Sequence, residues 1–317
     1  MKRVRTFVLL ALTAAASPVA LADTPFTLEN AVHAAGQRPL RAHNPVTMLE
    51  ADQIVPNRCV PPAAEASILS HAERFARQQH TLDVARHFVT ALQKEDVLLA
   101  ARESVAETHA AWQRLGGEST PSDLAASAAL ARAFADYQHA LAHRELTLTD
   151  LRRALLRLAE RVGMEDAPPS QLAHPSTAAD AAPITPALSD AHPKLAAVET
   201  LKRWWQHASP DDARHRASCL SALEQGATAI RLELTVQLAT LTHRIDTLRT
   251  HGLPAAAAEL AAAEAVLDLA RSGADPTLSM YRAMTGTVLA QAAFRVVQHE
   301  ILLLEMERDH LRQASPN

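Results

Sequence analysis

Aromatic residues are scarce in this chain. Phe, Trp and Tyr make up 3% of its 317 residues, and only 8 residues are Gly. Globular cores and membrane β-barrels both draw on aromatic side chains, the former for bulk and the latter for interfacial girdles. The shortage argues against both. Cysteine is limited to Cys59 and Cys219, whose spacing fits neither a metal motif nor a c-type haem motif. There is no glycine-rich phosphate loop and no G-x-S-x-G nucleophile turn. No charge-free apolar run of about 18 residues follows the N-terminal region, so no transmembrane helix is expected. The reading is of a protein that is not an enzyme and carries no cofactor.

What is present is mostly Ala, Leu, Arg and Glu, a composition suited to long helices packed side by side. The first 22 residues read as a signal peptide. Lys2, Arg3 and Arg5 form a basic start, Phe7 to Ala16 an apolar stretch, and Ala20-Leu21-Ala22 a small-residue cleavage site. Export to the periplasm is expected, with any outer-membrane contact indirect. Removing three of the 31 basic residues leaves 28 against 35 acidic ones, a net charge of −7. A mildly acidic, exported chain has no electrostatic case for nucleic acid. In an oxidising compartment two cysteines can pair, but sequence leaves open whether Cys59 and Cys219 approach within the ~6 Å between Cα atoms that a disulfide needs.

Residues 24–36 read as a short helix. Four prolines break 45–62. Residues 63–115 then hold no Pro and no Gly, with apolar residues at coiled-coil spacing: Leu82, Ala85, Val89, Leu92, Leu99 and Ala106, interrupted by Asp96. Gly116-Gly117 ends this helix, and Thr120-Pro121-Ser122-Asp123 carries start signals for the next. So short a turn sends the second helix back beside the first. Its seam reads as Phe134, Leu141, Leu148, Leu155 and Val162, alternating with Leu130, Tyr137, Leu151 and Leu158, with Arg144 the exception.

Residues 164–189 are rich in Pro and Ala and read as an extended surface linker. The pattern then repeats over 190–317: a short helix to Trp204-Trp205, a long helix with a kink expected at Gly252-Leu253-Pro254, a stop at Gly273, and a last helix to about Arg312. Pro39 and Pro193 are 154 residues apart, Gly117 and Gly273 are 156, and Pro121 and Pro276 are 155. Such agreement argues for a duplicated unit, 23–163 and 190–317. The expected fold is all-α: elongated antiparallel coiled-coil hairpins in two tandem repeats.

These residues resemble the outer-membrane efflux protein family, of which TolC is the type. The resemblance lies in Thr27-Leu28-Glu29-Asn30-Ala31-Val32 after the leader, in Ala261 to Arg271 before Gly273, in Leu289-Ala290-Gln291-Ala292, and in Leu302-Leu303-Leu304-Glu305. It implies a homo-oligomer, a trimer as in that family, whose helical hairpins form a periplasmic tube. It also implies that the hairpin tips meet a periplasmic adaptor protein. The matching tip positions are Gly116, Gly117, Ser119, Thr120, Asp123, Gly273, Asp275 and Thr277. The family's barrel strands have no counterpart here. The first slot is broken by prolines and the second, around 208–212, is too short for strands of about 9–11 residues.

Other constellations weigh less. His139 and His143 stand one helical turn apart and could share a metal, though solvated helix surface explains them more simply. Trp204-Trp205 reads as a packing pair rather than a membrane-interface marker. Arg144 and Arg295 fall on apolar seams. Each either snorkels to the edge or pairs across the interface, Asp96 being a candidate partner.

Overall fold

The computed structural model describes residues 25–38, 55–117, 124–166, 168–175, 192–207, 213–273 and 279–312. The signal-peptide residues lie outside these, as do Ser119, Thr120, Asp123, Asp275 and Thr277.

Thr27 accepts the Asn30 N–H at 3.1 Å and so caps helix α1 (Leu28–Gln37), which buries Leu28, Ala31 and Ala35. Helix α2 (Pro62–Arg114) begins with Pro at its first position and runs 53 residues, about 80 Å at 1.5 Å per residue. Gly116 and Gly117, both at positive φ, end it, and the Gly117 N–H bonds the Trp112 carbonyl. Helix α3 (Leu124–Val162) runs back along α2. Asp83 pairs with Arg161 and Lys94 with Asp150, so the partner number falls as the first rises, which is the mark of an antiparallel hairpin.

Helix α4 (Pro193–His207) is short, like α1. Helix α5 (Ala213–Thr247) passes through a π-helical turn, Leu248–Gly252, into α6 (Leu253–Ser272), making one rod. The kink expected at Gly252-Leu253-Pro254 is thus a widened turn. Pro254 has no N–H for the carbonyl four residues back, and the π-helical turn just before it absorbs that mismatch. Gly273, at φ +66, caps α6. Helix α7 (Met280–Arg312) returns along that rod, with the Thr287 hydroxyl donating to the Ala263 carbonyl at 3.2 Å. On its other side α7 runs antiparallel to α2, through Arg86–Glu307, Asp96–Arg295 and Glu107–Arg282. Among the described residues, counting α5–α6 as one, six helices pack in long antiparallel array, with no strand beyond a single bridge between Phe26 and Leu172.

Two apolar clusters hold the array. At the base, Ile68 and Ala72 of α2 meet Leu195, Val198 and Leu201 of α4 and Leu223, Ala227 and Ile230 of α5. Cys59 and Cys219 are bonded here, their Cα atoms 5.2 Å apart. Trp205 is buried beside them and donates its indole N–H to the Cys59 carbonyl at 2.9 Å, a packing role. The second cluster joins Leu28 and Ala31 of α1, Phe88 and Leu92 of α2, and Leu158 of α3. Leu158 is fully buried, so Leu158→Ala is expected to cost about 2–5 kcal/mol. The loss would appear as a lower urea midpoint with an unchanged slope.

Several seam assignments differ from the heptad reading. Leu82, Ala85, Val89 and Leu92 are buried as expected, but Leu99 is exposed, as is Ala106, while Leu98, Ala100 and Ala101 are buried instead. On α3 Leu151, Leu158 and Val162 are buried as expected, together with Ala140, Thr147, Ala154 and Ala159, whereas Leu141, Leu148 and Leu155 are half-buried and Phe134 is 44% exposed. Small residues thus hold buried positions, and the leucines one position along are half-buried beside them. The linker reading also needs amending where residues are described. Pro169 and Leu172 are buried, and residues 171–173 bond Phe26 in both directions, at 2.9 and 3.0 Å. Finally, α7 is long and apolar enough to cross a membrane by length and composition, although Arg295 and Glu300 lie within it.

Candidate docking site at the hairpin tips

Both hairpins turn at the same end of the array, because the end of α2 lies beside the start of α7. His109, Ala110, Gln113 and Arg114 face Ser279, Met280 and Tyr281 across a cleft of about 450 Å³. Arg282 and Glu107 pair at 3.5 Å along its edge. Across the first hairpin, Trp112 stacks on Tyr137 at 5.8 Å and meets Phe134 at 5.5 Å, with His109 at 5.0 Å from Tyr137. Three of the chain's few aromatic residues are therefore gathered at one tip. Leu115, Leu124, Phe134 and Tyr281 are exposed there, Leu124 at 88%. Trp112 is half-buried behind them, beside exposed Arg114 and Tyr281, and Trp, Tyr and Arg are the side chains that supply most energy at protein interfaces.

Of the tip residues read from sequence, Gly116, Gly117 and Gly273 end their helices at positive φ; the other five fall outside the described residues. The aromatic cluster was missed because Phe134 and Tyr137 were assigned to the seam. The signal was there: His109/Trp112 and Phe134/Tyr137 are each one helical turn apart on facing antiparallel helices.

Midway along the bundle lies a polar cluster. Asp96 of α2 is buried and accepts a bond from Arg295 of α7 at 2.6 Å. Arg295 also donates to His174 Nε2 at 3.3 Å. The His174 ring stacks on His299 at 5.6 Å, the two planes nearly parallel. Burial, then the charge that His174 would carry, pushes His299 down to about 4. Burial also lowers His174, with Arg295 adding to the effect. Beside Asp96, Glu95 is raised, first by burial and then by the Asp96 charge. Of the two alternatives read for Arg295, snorkelling or pairing across the interface, it takes the second, with Asp96. Arg144 takes the other course: it is 38% exposed and bonds its neighbour Glu145 at 2.5 Å.

His139 and His143 are both exposed on α3, and among the described residues no three His, Cys, Asp or Glu side chains converge to hold a metal ion. A second cleft, of about 330 Å³, opens between α2, α5 and α7, with Leu82, Val236 and Leu241 on its walls and the Arg86–Glu307 pair beside it.

The class of protein defined by this geometry is an all-α array of long antiparallel hairpins. Among solved structures, a membrane protein from Pseudomonas aeruginosa is similar to it, at 16% identity and a TM-score of 0.57, over 86% of this chain and 72% of that one. At that identity the likeness speaks to fold alone. No family model matches the sequence. No curated protein matches it.

Proposed function

We propose that this chain is an exported, non-catalytic helical element of an envelope efflux or secretion system, of TolC-like kind. Copies would close head-to-tail into a periplasmic conduit, a trimer if it follows the family, and the hairpin tips would meet an adaptor protein. The observation that carries this reading is an unpaired edge on each side of the array. Within the chain, the outgoing helix α2 of the first unit packs on the returning helix α7 of the second. The equivalent pair, the α5–α6 rod and α3, makes no extended contact among the described residues. Both are studded with exposed apolar side chains: Leu146 and Leu156 on α3, Leu232, Val266 and Leu269 on the rod. A second copy would supply to each the partner that the internal duplication already provides once. Such a head-to-tail contact closes into a ring when its rotation allows. The disulfide suits an oxidising compartment, and the similarity to a bacterial membrane protein agrees with an envelope location.

A barrel-less periplasmic scaffold is the second reading. It is favoured by the connection between α4 and α5, where five residues separate His207 from Ala213. Envelope fractionation separates the two. The first reading predicts that the chain sediments with outer membrane and co-purifies with a periplasmic adaptor. It also predicts that Trp112→Ala lowers adaptor recovery at least about tenfold, the usual yield of an interfacial Trp, without lowering the urea midpoint by a comparable amount. A chain found only in the soluble periplasm, with no adaptor, supports the scaffold.

A further inference from the structure

The polar cluster ties together three parts of the chain that are far apart in sequence. Asp96 belongs to the first hairpin, Arg295 and His299 to the second, and His174 to the segment that follows α3. We propose that Asp96, Arg295, His174 and His299 form an acid-released clasp, which fastens the 168–175 segment and α7 onto α2 at neutral pH and lets that segment go on acidification.

The carrier is the direction of one hydrogen bond. Arginine has donors only, so the 3.3 Å contact with Arg295 requires that His174 Nε2 accept. His174 is therefore neutral in the closed state, with its proton on Nδ1. Protonation at Nε2 removes that acceptor and sets two N–H donors against each other. The stacked partner is constrained in the same sense. His299 is 2% exposed and its Nδ1 has no hydrogen-bond partner, so a cationic ring there would bury an unanswered charge beside Arg295. The ionisable groups facing the two rings are Asp96 from α2 and Arg295 from α7, with Glu95 next to Asp96. The Asp96 carboxylate is committed to Arg295 through Oδ1, while its Oδ2 is buried without a partner. One carboxylate would then face three cations. Glu95 accepts from the Leu172 backbone N–H, so protonating this already raised carboxyl weakens the same segment.

The sign follows from the difference between closed and open states. Once the segment lifts, His174 recovers the ordinary value of 6.5 and His299, freed of the stacked ring and its charge, rises toward it, whereas His299 when closed binds protons only near about 4. Protons therefore favour the open state increasingly as pH falls from 6.5 toward about 4, and leave the closed state undisturbed above that window. The pairing of residues 171–173 with Phe26 reports on closure, since the Ala173 N–H donates to the Phe26 carbonyl.

Hydrogen–deuterium exchange of the full mature chain, disulfide intact, tests this. Peptides covering 168–175 and 215–230 are compared at about pH 7.5 and about pH 5, each corrected for intrinsic exchange. The expected result is a loss of protection in 168–175 of about tenfold or more at the lower pH, with 215–230 unchanged. The neutral double variant His174→Gln/His299→Gln should lose most of this pH response, keeping only the share that Glu95 contributes. Unchanged protection in the wild type, parallel loosening of both peptides, or the same response in the double variant overturns the proposal. Should that variant fail to fold, the two wild-type peptides decide the matter alone.

Discussion

Replacing both Cys59 and Cys219 by Ala is expected to lower the unfolding free energy by about 4–5 kcal/mol. The bond joins residues 160 apart, and the chain entropy released on opening a loop of that length sets the size of the effect. Its location amplifies the consequence. Cys59 precedes α2 and Cys219 lies in α5, so the bond ties the start of one unit's long helix to the long rod of the other. Both residues are fully buried among Ile68, Leu201 and Leu223, so reagents that do not unfold the base should reduce it slowly. The check is a pair of urea titrations, with and without dithiothreitol. The wild type should lose stability on reduction and the double variant should not respond. Identical midpoints for the reduced and oxidised wild type would show that the base holds itself together without the bond.

The second large effect is expected at Asp96. Asp96→Ala leaves the partly buried Arg295 beside His174 and His299 without its carboxylate, and truncating one member of a buried pair costs about 3–5 kcal/mol. The side chain of Asp96 is 5% exposed and that of Arg295 27%, so the penalty belongs toward the lower end of that range. Removing both charges together, as Asp96→Leu/Arg295→Met, should restore most of the loss, because the desolvation of two ions offsets much of their attraction. Urea midpoints for the four members of this double-mutant cycle measure the coupling directly. A double variant no more stable than Asp96→Ala would mean that the pair does not carry the contact between α2 and α7.

The large features were written plainly in the sequence because each depends on a local signal. Gly117 and Gly273 end helices at positive φ, where other residues are strained, and the absence of Pro and Gly over 63–115 leaves helix as the natural course for that stretch. Packing was less legible. A heptad scan favours the largest apolar residues, so it chose Leu141, Leu148 and Leu155, whereas the contact uses Ala140, Thr147 and Ala154 because small side chains let two backbones approach. Asp96 and Arg295 broke the apolar pattern on separate helices, and that matched irregularity was the trace of their pairing. Nothing in the composition of 164–189 marked Leu172 as a core residue or His174 as part of a polar cluster. Burial there depends on which surfaces happen to lie beneath, information that a lone segment does not carry. The Trp112 cluster was hidden for a related reason, since its members are near neighbours only after the hairpin closes.

Head-to-tail closure through α3 and the α5–α6 rod is the central claim, and it makes a specific geometric demand. Shifting the Glu107–Arg282 contact by the offset of about 155 residues between the two units places Ala262 of one copy beside Ser127 of the next; both positions are exposed. With the native cysteines already bonded to each other, a Ser127→Cys/Ala262→Cys chain presents two free thiols. Oxidation of the mature protein at native expression level, followed by non-reducing electrophoresis, is the decisive measurement. The account predicts a closed ladder that ends at a small ring, abolished when either cysteine is omitted. A band that remains at monomer size under every oxidant would contradict it.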